Sequence, residues 1–168
     1  MSISMYQASL PVLVRGLTSL QAILGKAEAH AAEKQIDPSV FINARLFPDM
    51  LPLARQVYIT TDTAKGCAAR LAGVEPPKYD DVETTFEELH ARIQKTIDYL
   101  QEFNAAQIDG SEERPVTLKM RSGPIEFTGV NYLLHFAMPN FYFHVTTAYD
   151  ILRHHGVELG KLDFLGGR

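Results

Sequence analysis

At 168 residues, with 46% apolar and 21% charged side chains, the chain has the size and balance of one soluble globular domain spanning residues 1–168. A net charge of −4, with no stripe of lysine and arginine, argues against a nucleic-acid or anionic-membrane surface. The single cysteine, Cys67, excludes an intrachain disulfide and agrees with a reducing cytoplasm.

The opening MSISMYQASLPVLVRGLTSLQ has neither a basic start nor a small-residue cleavage site, so no secretory signal is expected. No apolar run approaches the roughly 18–20 residues that span a bilayer, so no membrane helix is expected either. Helix one is predicted from Ser4 to Glu33. Its seam is Tyr6, Leu10, Leu13, Leu17, Leu20, Leu24 and Ala27, and Pro11 makes the start irregular. Residues 35–50 read as a connection with a short helix, marked by Asp37-Pro38 and Phe47-Pro48. Helix two is predicted from Leu51 to Ala72, stopped by Gly73, with the small-residue seam Ala54, Val57, Thr61, Ala64, Ala68 and Leu71.

After a loop over 74–82, helix three begins at Thr84 or Thr85, where Thr85 and Glu88 have capping-box spacing. Its stripe is Phe86, Leu89 or His90, Ile93, Ile97 and Leu100, and it ends near Asn104. Val116–Met120 and Ile125–Phe127 alternate about the turn Arg121-Ser122-Gly123-Pro124, which predicts a hairpin resting on the helices. Helix four starts between Thr128 and Asn131 and runs to His155, with Gly156 as its stop. Its stripe is Leu134, Ala137, Phe141, His144, Ala148 and Ile151; Pro139 should bend it or free a carbonyl near residue 135. The fold class these elements predict is all-α, an antiparallel four-helix bundle with a small β-hairpin between helices three and four.

Asn140 and His144 stand one helical turn apart in the apolar stripe of helix four. The pair admits three readings: a hydrogen-bonded polar layer in the core, a small-molecule pocket, or a bound metal. On helix two, Tyr58, Asp62 and Lys65 share a flank at i, i+4 and i+7. Asp62 either supplies a carboxylate toward helix four or pairs with Lys65 or Arg55. The other histidines read as structural or solvated: His30 in a polar helix end, His90 at a core edge, His135 near the bend, His154 and His155 in a last turn. Cys67, among Gly66, Ala68 and Ala69, reads as a small buried residue. No nucleophile-elbow, P-loop, dinucleotide or C-x-x-C motif occurs.

The segments ARLFPDMLPLARQVYITTDTAKGCAARLAG (44–73) and PNFYFHVTTAYDILRHHGVELGKLDFLG (139–166) resemble an uncharacterised branch of the DinB/YfiT-like metalloenzyme superfamily. The resemblance extends over nearly the whole chain. It implies a four-helix bundle, often dimeric. In many members a divalent metal is held by one histidine of helix two and a His-x-x-x-His pair of helix four; some relatives are thiol-dependent transferases. His144 falls on the second histidine of that pair and Asn140 where the first stands. Thr61 or Asp62 lies nearest the helix-two ligand. The resemblance thus implies a three-histidine site lost or altered, with Asp62, Asn140 and His144 as the remodelled set for zinc or nickel.

The function expected is a cytoplasmic protein with a polar small-molecule pocket between helices two and four, lined by Tyr58, Asp62, Asn140 and His144. One alternative is a divalent-metal-dependent enzyme of thiol transferase or hydrolase type. Another is a non-catalytic structural or regulatory homodimer.

Overall fold

Ser4 opens the chain's first helix: its hydroxyl accepts the Gln7 N–H at 3.3 Å while the Gln7 amide oxygen accepts the Ser4 N–H at 3.2 Å. That helix, α1 (Met5–Ala8), ends after one turn because Ser9 leaves helical geometry at φ −121° and ψ −85°. α2 (Leu10–Lys34) carries Pro11 in its first turn, where a missing N–H removes no helical bond. The single helix expected from Ser4 is therefore two. The computed structural model describes residues 2–120 and 123–166.

By length and composition, the helical stretch Met5–Lys34 is apolar enough to cross a membrane, contrary to the expectation from sequence. Its apolar residues are spent on the interior: Leu10, Leu13, Leu17, Leu20, Ile23, Leu24 and Ala27 are all buried. Such burial is what a core helix of a globular fold requires.

Asp37 caps the short α3 (Pro38–Ile42) by accepting the Ser39 N–H at 2.8 Å. α4 (Leu53–Ala72) closes on Gly73, whose φ of 76° is the left-handed conformation a helix stop needs. α5 (Phe86–Gln101) begins with the expected Thr85–Glu88 capping box, and α6 (Ala105–Ile108) adds one turn that the sequence did not suggest. The hairpin is present as β1 (Pro115–Met120) and β2 (Gly123–Thr128), antiparallel, with Val116 opposite Phe127 and Leu118 opposite Ile125. Val116 and Leu118 are buried, so one face of β1 rests on the helices. Of the expected turn, Arg121 and Ser122 lie outside the described residues.

The expected fourth helix is α7 (Gly129–Tyr132), a π-helical turn (Leu133–Ala137) and α8 (Met138–His154). Pro139 has no N–H to offer the carbonyl four residues back, and the turn ahead of it widens to i→i+5 bonding. The wider turn shifts the helical phase by one residue. Leu133 is therefore buried and Leu134, placed in the apolar stripe by sequence, is 52% exposed. Past Gly156, α9 (Lys161–Leu165) returns to α2, where Lys26 meets Asp163 at 2.7 Å and Arg15 donates twice to the Leu165 carbonyl.

α4 packs against α8 and α5, and α2 against α5 and α8. The partners give the directions. Gln21 reaches Gln94 and Glu28 faces His90, so α2 and α5 run antiparallel. Gln56 bonds His144 and Thr63 bonds Asn140, so α4 and α8 do too. Gly16 lets α8 approach α2: a Cβ there would lie 2.5 Å from the Phe141 ring. The fold is mostly helical, with one small antiparallel hairpin and a continuous apolar core.

Candidate functional site

Successive residues of a helix are about 100° apart, so Gln56, Thr60 and Thr63 share one face of α4 while Tyr58, Asp62 and Lys65 share another. The first face meets α8. His144 Nδ1 lies 2.7 Å from the Gln56 side-chain oxygen, and Asn140 donates from its amide to the Thr63 hydroxyl, also at 2.7 Å. Gln56 is itself held, because its Nε2 donates to the Leu51 carbonyl at 2.8 Å. Gln56, Thr60, Thr63, His144 and Thr147 are all buried. A strip of neutral polar side chains therefore runs along an otherwise apolar helix interface. The Phe143 ring stands edge-on to the His144 imidazole at 5.1 Å and is 58% exposed.

Burial disfavours the charged imidazole and holds the His144 pKa below its ordinary value of 6.5. The unfolded chain therefore takes up this proton first as pH falls. The stability gained from neutral His144 is complete above the unfolded value and is lost as pH drops through the lower folded one. Between about pH 7.5 and about pH 5 the melting temperature should fall more steeply in the native protein than in His144→Gln, which has no such proton to gain. Parallel slopes in scanning calorimetry would contradict this.

Tyr58 and Asp62 are not part of that strip. Asp62 pairs with Lys65 at 2.5 Å and with Arg92 at 3.1 Å, and the Tyr58 hydroxyl donates to the Glu83 carbonyl. Arg55 goes to Asp81 at 2.7 Å instead of to Asp62. The centre of this second cluster is Arg92, whose side chain is 1% exposed. It donates to the Thr61 hydroxyl, the Asp80 carbonyl and the carboxylates of Asp62, Asp81 and Glu83. Its guanidinium also lies 4.7 Å from the centre of the Tyr58 ring. The cluster pins the 79–83 loop to α4 and α5. The pocket of four residues expected from sequence therefore divides in two, with Asn140 and His144 on one side of α4 and Tyr58 and Asp62 on the other.

The remaining candidates follow their expected roles with small changes. Cys67 is fully buried, and desolvation pushes its thiol up to about 12, far from a reactive thiolate. His90 sits 3.8 Å from Glu28 at the core edge. His30, read as solvated, instead lies half-buried against Phe41 at 5.9 Å. His155 bonds the Ile151 carbonyl within its own helix at 2.7 Å. Exposed His135 forms no hydrogen bond to the freed carbonyl; the π-helical turn absorbs Pro139 instead.

A zinc or nickel site of the superfamily type does not fit these residues. The strip offers one imidazole among amides and hydroxyls, whereas such metals take thiolate, imidazole and carboxylate donors. Asp62, the only carboxylate of the candidate set, is engaged by two cations on the other face of α4. No group of three or more histidine, cysteine, aspartate or glutamate side chains suited to a metal occurs among the described residues.

Sequence reasoning named Asn140 and His144 but missed their partners Gln56 and Thr63, and missed Arg92. Gln56, Thr60 and Thr63 do form a polar stripe at i, i+4 and i+7, and Arg92 falls between Leu89 and Thr96 on the inward face of helix three. Both signals were present. Surface clefts open elsewhere, beside Lys26 and Glu158 and around Tyr79 and Lys95; Asn140 and His144 line neither.

The model of a domain of unknown function, DUF1993, matches residues 5–165. The crystal structure of a DinB family member protein from Shewanella denitrificans is 42% identical, covering 97% of this chain and 92% of its own, with a TM-score of 0.89. No curated protein matches the chain. Matched over nearly its whole length, the chain belongs to the DUF1993 family and represents an uncharacterised DinB-like branch.

Proposed function

We propose that this protein is a single-domain, cytoplasmic antiparallel four-helix bundle that binds a small uncharged molecule at the strip between α4 and α8, with the superfamily's metal site altered. The observation that carries the reading is the pair of interhelical hydrogen bonds, Gln56–His144 and Thr63–Asn140. A core of this size is more cheaply filled with apolar groups, and buried polar side chains are retained where they fix specificity or meet a ligand. The lining is neutral His144, two amides and hydroxyls, so the ligand should carry no net charge where it touches them. Mapping a fragment library by NMR tests this. Hits should move the signals of Asn140 and His144 and vanish in His144→Ala; hits confined to the surface clefts elsewhere would overturn the reading.

The altered metal site yields a separate expectation. Asn140→His places two imidazoles at i and i+4 on one helix face and should raise nickel affinity on the order of tenfold over the native protein. Isothermal titration with nickel measures it. Unchanged affinity would mean that α8 no longer presents the ligand geometry of the superfamily. A homodimer is the second reading of the protein as a whole, favoured by the exposed Leu134 and Phe143 on the same helical arm. Light scattering at micromolar concentration decides it.

A further inference from the structure

We infer that Gln56 locks His144 in the Nδ1–H tautomer, so that Nε2 is a fixed hydrogen-bond acceptor for a ligand that brings a neutral O–H or N–H donor on an apolar body. This rests on the site proposed between α4 and α8 and names its ligand class.

One side-chain amide fixes the ring. Gln56 Nε2 donates to the Leu51 carbonyl at 2.8 Å, so the amide cannot turn without bringing two oxygens together. Its Oε1 therefore faces His144, and an oxygen 2.7 Å from Nδ1 requires the proton to sit on Nδ1. The other nitrogen then carries the lone pair. Nε2 makes no hydrogen bond among the described residues and is not among the buried polar atoms lacking a partner, so it reaches the surface of the strip. Burial keeps the ring neutral and the lone pair available. Orienting one ring nitrogen to prepare the other is how amide and carboxylate partners act in histidine sites generally. Gln56 is thus a positioning residue, one step removed from the ligand. The apolar part of the ligand has a surface to lie on, since the exposed Phe143 ring is edge-on to the imidazole.

Two-bond proton–nitrogen correlation of the labelled imidazoles at neutral pH reads the tautomer directly. The expected native signature for His144 is a protonated Nδ1 and an unprotonated Nε2, lost in Gln56→Leu, which removes the acceptor. A protonated Nε2 in the native protein overturns the inference whether or not the variant folds. The ligand class is read with two isomers, benzyl alcohol and anisole, which share composition but differ in the O–H donor. Benzyl alcohol should shift the His144 and Asn140 signals at least tenfold more tightly than anisole. Equal binding of both at His144 overturns the donor preference while leaving the site itself standing. Failure of both isomers and of the wider library to touch His144, with the tautomer as expected, overturns the site.

Discussion

Arg92→Ala should destabilise the protein by about 3 kcal/mol and release the 79–83 loop. The side chain is 1% exposed and answers three carboxylates, a carbonyl and a hydroxyl. Alanine leaves the half-buried Glu83 without its cation and three converging carboxylates with only Lys65 on Asp62 and Arg55 on Asp81 to answer them. Asp62 and Asp81 are 43% and 32% exposed, so water screens part of their repulsion and holds the loss to the lower end of the range for broken buried pairs. Arg92→Lys should recover only part, because one ammonium cannot reproduce the fork that serves Thr61, Asp62 and Glu83 together. Urea unfolding followed by circular dichroism measures both variants. A loss below about 1 kcal/mol for alanine would mean the cluster is a surface network in its energetics.

Gly129→Ala should cost about 3 kcal/mol by a different route. A Cβ built on Gly129 stands 1.9 Å from the Ser111 carbonyl oxygen and 3.0 Å from its carbon, both backbone atoms that cannot rotate away. The close approach occurs where β2 passes into α7, beside the Val130 N–H bond to the Glu112 carbonyl at 2.9 Å. Relieving the clash moves the hairpin away from the helices or breaks that bond. Gly25→Ala is the matched control: its Cβ meets nothing within 4 Å, and alanine inside a helix should add about 0.5–1 kcal/mol. Thermal unfolding should therefore separate two glycine-to-alanine changes in opposite directions. Equal behaviour would show that the Ser111 contact yields easily.

Periodicity carried most of the helical plan. The seam residues of α4, from Ala54 to Leu71, are all buried as their spacing implied, and Thr85 with Glu88 marked the start of α5. Local chemistry was harder to resolve at Ser9 and Pro139. A proline announces a perturbation, but whether the chain breaks, kinks or widens one turn depends on the packing around it. That ambiguity misplaced Leu134. The candidate site was half legible. His144 and Asn140 stood out because they are polar residues in an apolar stripe, whereas α4 has polar residues on two faces and sequence alone could not orient them toward α5 or α8. Tyr58 and Asp62 were therefore grouped with the wrong partners. Arg92 was passed over because a charged residue on a helix is usually solvated, and only the convergence of Asp62, Asp81 and Glu83 from other segments explains its burial.

The function proposed for this protein depends on a neutral, oriented His144. The most direct measurement is the protonation pattern of the His144 ring by nitrogen NMR at neutral pH. The expected result is a neutral ring with its proton on Nδ1 and its lone pair on Nε2. A charged ring, or a proton on Nε2, would contradict it.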